Sequence, residues 1–307
     1  MNGTTTAQLA EKTAKAVTGS VEEWTGFLQS AARLYKYSYP EQLLIYAQRP
    51  DATACASYEI WNQTMRRYVR RGARGIALPD GAGAVRYVFD VADTGARKSS
   101  REVKTWSLDE NNLEAVAHAL ETQYGSAAKL GIAGQLEEIA MQQSMDYWQW
   151  HQDELRGIVD GSFLEGYDEL NLEIAFRNTA AASVKYMLLS RCNLAQEYRF
   201  EPEELAGVLE WNTLAASGAL GSAISEMSEG VLRQIERTIR QYERSQNHDE
   251  RTDVYEERRV LDSRLESSRT ADGAEQIRTD AGAVSEGASD DHLQQPAPER
   301  EADRAPD

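Results

Sequence analysis

Residues 65–79 read MRRYVRRGARGIALP and place five arginines, Arg66, Arg67, Arg70, Arg71 and Arg74, within nine positions. Guanidinium groups at this density suit a polyanion, because each phosphate they neutralise releases condensed counterions and so contributes affinity. Arginine alone is a weak signal, since charged side chains also line ordinary solvated surfaces. The company these arginines keep sharpens it. Arg49 and the five arginines are interleaved with Tyr46, Tyr58, Trp61 and Tyr68, and single strands are held by basic grooves with aromatic faces on which unpaired bases stack. The candidate phosphate contacts are therefore Arg49, Arg66, Arg67, Arg70, Arg71 and Arg74, with Tyr58, Trp61 and Tyr68 stacking on bases or shaping the groove. The competing reading puts Tyr46 and Trp61 in the core and leaves the arginines on a solvated strand. Both readings stay open at this level.

The surrounding charge makes the cluster stand out. The 307-residue chain has a formal net charge of -17, yet residues 33–104 hold 13 Lys/Arg against 7 Asp/Glu, a local net of +6. Residues 105–240 hold 9 against 22, a net of -13, and residues 241–307 hold 9 against 18, a net of -9. A polyanion responds to the local field rather than to the total, so one basic island in an acidic chain is compatible with nucleic-acid binding.

The elements that would hold the island can be read from spacing. Ser20-Val21-Glu22-Glu23 has the form of a capping box, and Trp24, Phe27, Leu28, Ala31 and Tyr35 continue on one apolar face of a 3.6-residue period. Ser38-Tyr39-Pro40-Glu41 repeats the signal for a short helix over 41–48, which Pro50 ends by biasing Arg49 away from helical geometry. The period then changes to two: strands are expected at 53–57, 65–70, 76–78 and 85–91, with Gly72 and Gly75 at turns. In the second strand Arg66, Tyr68 and Arg70 would share one face and Met65, Arg67 and Val69 the other. A third capping box, Ser107 to Glu110, predicts a helix carrying Leu113, Val116, Ala117, Leu120 and Tyr124, and further helices are expected at about 134–148, 168–190, 203–216 and 224–242. Beyond 245 the chain is polar, and residues 266–307 contain no Phe, Trp or Tyr, a composition that buries too little surface to offset chain entropy.

The fold class expected is therefore α+β: a small, mostly antiparallel sheet with flanking helices, then an all-α region and a disordered tail. The expected divisions are 18–104 for the basic domain, 105–242 for an acidic helical domain and 243–307 for the tail.

Other chemistry is hard to find in the sequence. His118, His151, His248 and His292 are scattered and none belongs to an HExxH pair; His151 has a glutamate three positions on, but Leu155 stands where an inverted zinc motif needs histidine. There is no GxxxxGK[ST] phosphate loop and no GxSxG elbow, and GAGAVRY at 81–87 has no helix after it. No catalytic residue, metal site or cofactor is expected. Cys55 and Cys192 form no CxxC and read as buried small hydrophobes. No run approaches the ~18 apolar residues of a membrane span, and MNGTTTAQLAEKTAKAV lacks the basic-then-apolar order of a secretory signal. A cytoplasmic protein without membrane partners is expected.

The run YSYPEQLLIYAQRPDATACASYEIWNQTMRRYVRRGARGIAL, residues 37–78, carries a resemblance as well. Its Tyr37-Ser38, Gln48-Arg49-Pro50, Ala52-Thr53, Trp61, Val69 with Gly72, and Gly75-Ile76, in that order, resemble the N-terminal single-stranded-DNA-binding domain of ArdC-like antirestriction proteins. The version it is most similar to stands at the start of large conjugative-element proteins of Gram-positive gut bacteria. There RYVFDVADT (86–94) also has a counterpart and helicase or methyltransferase modules follow. The resemblance covers residues 20–95 well, the helical region loosely and the tail not at all. It implies DNA binding in the biology of a mobile genetic element. The zinc peptidase domain usual in that family does not carry over, for want of HExxH, and neither do helicase or methyltransferase motifs. The function expected is non-catalytic binding of single-stranded DNA in conjugative or antirestriction biology, with host defence or element-encoded proteins as further partners. The alternative is an acidic inhibitor or adaptor of a host restriction or nuclease protein, using the net -13 of residues 105–240 as a DNA-like field.

Overall fold

The computed structural model describes residues 2–80, 83–196, 198 and 200–246. Three helices open the chain: α1 (Gly3–Val17), α2 (Val21–Arg33) and α3 (Tyr39–Gln48). Of the three caps expected, the two at Ser20 and Ser38 start helices. The Ser20 hydroxyl accepts from the Glu23 N–H at 3.2 Å, and the Glu41 carboxylate accepts from the Ser38 N–H at 3.2 Å, so backbone donors at the helix starts are satisfied. α1 has no counterpart in the sequence reading because its buried positions are Thr6, Thr13, Ala14 and Val17, half of them polar, and they make a faint apolar stripe.

Five short strands follow: β1 (Cys55–Ser57), β2 (Tyr68–Val69), β3 (Ile76–Pro79), β4 (Val85–Asp90) and β5 (Thr94–Gly95). They make a three-stranded antiparallel sheet of order β1-β4-β3 and a separate two-stranded β2-β5 ladder. In the larger sheet Ile76, Leu78 and Val88 face the helices and pack with Leu34, Leu44, Ile45 and Ala52 in a small apolar cluster. The period of two places Tyr87 and Phe89 on the opposite face.

The remaining elements among the described residues are helical: α4 (Leu113–Tyr124), α5 (Gly131–Gly157), α6 (Glu169–Arg191), a 3-10 stretch (Pro202–Glu210) and α7 (residues 214–246). Two expectations need correction. The helix predicted from Ser107 starts at Leu113, because Asp109 builds a local turn instead, its carboxylate accepting from Asn111 N at 2.9 Å and Asn112 N at 3.2 Å. The single helix expected over 203–216 is a 3-10 stretch and a fresh start: fully buried Trp211 breaks the run and the Thr213 hydroxyl caps α7 by accepting from Ala216 N. Residues 1–245 make one compact unit. Residues on either side of the boundary expected at 104 share its larger core, where Trp24 and Phe27 join Phe176 and Trp211, and the Trp24 indole donates to the Ser183 hydroxyl at 3.1 Å. Residues 243–246 of the expected tail are helical, and its remainder lies outside the described residues. Among the described residues no helix is long and apolar enough to cross a membrane.

Candidate nucleic-acid interface

The strand expected over 65–70 is extended only at Tyr68–Val69, where β2 pairs Tyr68 with Gly95 and Val69 with Thr94. Ahead of it Ile60–Thr64 is a turn of π-helix, and Arg66 adopts φ 54°, the left-handed region that a side-chain-bearing residue enters at a cost of about 1 kcal/mol. The surroundings hold it there. The Ser100 hydroxyl donates to the Arg66 carbonyl at 2.6 Å, Arg101 N donates to Met65 O at 2.9 Å, and Arg67 N donates to Trp61 O at 2.8 Å. Alternation survives in the burial even where the strand does not: Arg66, Tyr68 and Arg70 are exposed while Met65, Arg67 and Val69 are half-buried.

The predicted contacts separate into two groups. Arg49 is a structural cation: its guanidinium pairs with Asp93 and lies 3.6 Å from Asp51, and the Asp93 hydrogen bond pushes its pKa up. Trp61 is core, 3% exposed, with its indole N–H donating to the Phe89 carbonyl at 2.8 Å, so it presents no face to a base. Arg67 is half-buried and its Nε donates to the Thr94 hydroxyl at 2.8 Å. The second group faces solvent. Tyr58 and Tyr68 are 51% and 42% exposed. Arg70 is exposed and tethered only to the Ala92 carbonyl. The side chains of Arg66, Arg71 and Arg74 are exposed and meet no partner among the described residues. Gly72, at φ 87°, lets the chain turn between Arg71 and Arg74.

The residues that carried the family resemblance turn out to be scaffold. Gln48 clips the open edge of the sheet, its amide donating to the Ala77 carbonyl and accepting from the Ala77 N–H, both at 3.0 Å. This covers backbone groups an edge strand would otherwise leave unpaired. Buried Asp90 accepts from Thr53 N at 2.7 Å and Ala54 N at 2.9 Å, fixing the entry to β1. At Gly75 a Cβ would press on the Tyr87 and Phe89 rings, so glycine there permits the sheet face to pack. Comparison with known proteins adds no relative: no known protein family, curated protein or solved structure matches the chain.

Three features escaped the sequence reading. Arg97 lies 5.5 Å from the centre of the Tyr68 ring, which itself rests on Gly95, where a Cβ would overlap it. Lys98 and Arg101 follow it on an exposed segment, and Tyr87 and Ile60 add 44% and 48% exposed apolar surface. The run ARKSSR at 96–101 was the available signal for the cations. Cys55 is half-buried beside Asp90 rather than fully buried like Cys192, and burial pushes both thiols up to about 12, so neither is a thiolate near neutral pH. Among the described residues no three His, Cys, Asp or Glu side chains gather as a metal site would need.

Proposed function

We propose that this chain binds single-stranded DNA through the lobe formed by residues 55–101, without catalysing a reaction. One observation carries the reading: unpartnered Arg66, Arg71 and Arg74 lie along the chain with exposed Tyr58 and Tyr68, cations for phosphates and rings for bases in one lobe. The left-handed backbone at Arg66 supports it, because strained residues concentrate at functional sites. Short strands and turns carry the cations here, with no helix shaped to enter a major groove, which favours the single strand over the duplex. The resemblance of residues 37–78 to ArdC-like antirestriction proteins supplies the setting: DNA of a mobile element in transit, protected from host nucleases in the cytoplasm. Fluorescence anisotropy with a labelled single strand and the matching duplex, at two salt concentrations, tests this. Tighter binding of the single strand is expected, and equal or tighter duplex binding refutes it.

A second reading has its own observation. On the acidic helical region Trp150, Phe163 and Leu170 are 81%, 71% and 64% exposed, large apolar side chains of the sort that anchor protein contacts. An adaptor that holds a host or element-encoded protein there is compatible with strand binding by the basic lobe. Pull-down with the full chain and with a Trp150→Ala, Leu170→Ala variant distinguishes it.

A further inference from the structure

A cavity of about 220 Å³ opens where the α2–α3 turn, β1, the segment 103–106, the end of α6 and α7 meet. Its wall carries five cations, Arg33, Lys36, Lys104, Arg191 and Arg240, and a single carboxylate, Glu236. That carboxylate is already saturated. Its Oε2 accepts from the Tyr35 hydroxyl at 2.5 Å and Lys36 Nζ at 2.6 Å; its Oε1 accepts from Arg240 Nε at 2.9 Å and Nη2 at 2.8 Å. Burial alone would raise its pKa, but these donors outweigh burial and hold the carboxyl at about 2. Glu236 therefore neutralises about one of the five charges.

The others form no ion pair among the described residues. Arg33 donates only to carbonyls, those of Ala52 at 3.0 Å, Pro50 at 2.9 Å and Gln29 at 3.2 Å. Arg191 donates to the Trp106 carbonyl at 2.9 Å and stacks on that indole, 3.4 Å from the ring centre, which leaves most of its guanidinium donors without a protein acceptor among the described residues. Burial lowers the pKa of both arginines and outweighs the opposing pull of the nearby carboxylates, Asp51 and Asp90 on Arg33 and Glu236 on Arg191. Such groups are stabilised by a bound anion. Trp106 is covered by Arg191 and Tyr35 is buried in the core, which leaves half-buried Tyr37 as the remaining ring on the wall, so cations dominate the lining. The space is several times the ~30 Å³ share of one water and admits a tetrahedral oxyanion with its water.

We infer that this cavity binds a phosphate monoester, with Arg191, Lys104 and Arg33 as its cationic wall. Two sources share that chemistry, a free phosphate or nucleotide and the phosphorylated end of a DNA strand. The strand end is the source that rests on the proposed function. Lys104 lies three residues beyond Arg101 of the basic lobe, at most about 10 Å of extended chain, so a strand on the lobe has its terminus within reach of the cavity.

The full-length protein is tested in two arms. In the first, inorganic phosphate is added at fixed ionic strength against chloride, and the melting temperature is followed. In the second, 5′-phosphorylated, 3′-phosphorylated and hydroxyl-ended versions of one oligonucleotide compete by anisotropy. Phosphate should raise the melting temperature, and one phosphorylated end should bind about tenfold tighter than the hydroxyl end, the effect of one charge-assisted contact. Lys104→Gln, at an exposed position, and Arg191→Gln should each bring that ratio toward one and abolish the phosphate shift. A phosphate shift without end discrimination assigns the cavity to a free phosphate compound. Neither effect, or effects that survive both variants, overturns the inference. Affinity for the hydroxyl-ended strand reports on the basic lobe alone, so failure of the cavity and failure of the proposed function read out separately.

Discussion

Replacing Arg66, Arg71 and Arg74 together with alanine removes three exposed cations whose side chains touch no partner in the described structure. Alanine keeps the Cβ, so the strain at Arg66 is unchanged, and exposed positions of this kind usually shift stability by no more than about 0.5 kcal/mol. The fold should survive, and a melt confirms it. If each arginine neutralises one phosphate of a single strand, the slope of log affinity against log salt should flatten by about 0.7 per contact, about 2 for the three. Between 50 and 200 mM salt the wild-type affinity should then fall about 20-fold more than that of the variant. Arg49→Ala is the control. Its guanidinium is held by Asp93, and removing it orphans a half-buried carboxylate at a cost of about 1.5–3 kcal/mol, so it should lower the melting temperature and leave the salt slope nearly unchanged. An intact triple variant with an unchanged slope, or an Arg49 variant that flattens the slope equally, refutes the division made here between binding and structural arginines.

Tyr68→Ala should weaken strand binding by roughly 1–3 kcal/mol with no change in salt slope, since a stacked base releases no counterion; full affinity in the variant would show that the ring serves only to cover Gly95. Trp61→Ala should act on the fold instead, costing about 3–5 kcal/mol in chemical denaturation through the cavity it leaves, and a stable variant with lost affinity would return Trp61 to the interface. Acid should act through Glu236. Its carboxyl sits at about 2 in the folded chain against the ordinary 4.5, so the unfolded chain takes the proton first. The stabilisation is whole above pH 4.5 and lost as pH falls toward 2. The gap in melting temperature between wild type and Glu236→Gln should therefore be constant at neutral pH and shrink below pH 4.5; a gap undiminished at pH 3 contradicts the assignment, as would a gap that grows.

Local chemistry made much of this protein legible in advance. Ser20 with Glu23 and Ser38 with Glu41 announce their helices because capping partners lie three residues apart, and the alternation of Val85 to Asp90 announces β4 because a strand repeats every two residues. The basic island was visible for the same reason: five arginines in nine positions need no fold to be counted. Which of them pair within the protein and which face solvent was decided elsewhere. Arg49 is taken out of the island by Asp93, 44 positions away, and Trp61 by the Phe89 carbonyl, 28 positions away. Spacing carries no information about such pairs, because helical and strand periods relate residues only a few positions apart. The cavity is the extreme case: Tyr35 and Glu236 meet across 201 positions, and Arg191 reaches Trp106 across 85. Only packing α7 and α6 against α2 and the segment 103–106 brings those charges together, and partial burial of Arg33, Arg191 and Glu236 weakens the screening that water gives a fully exposed charge.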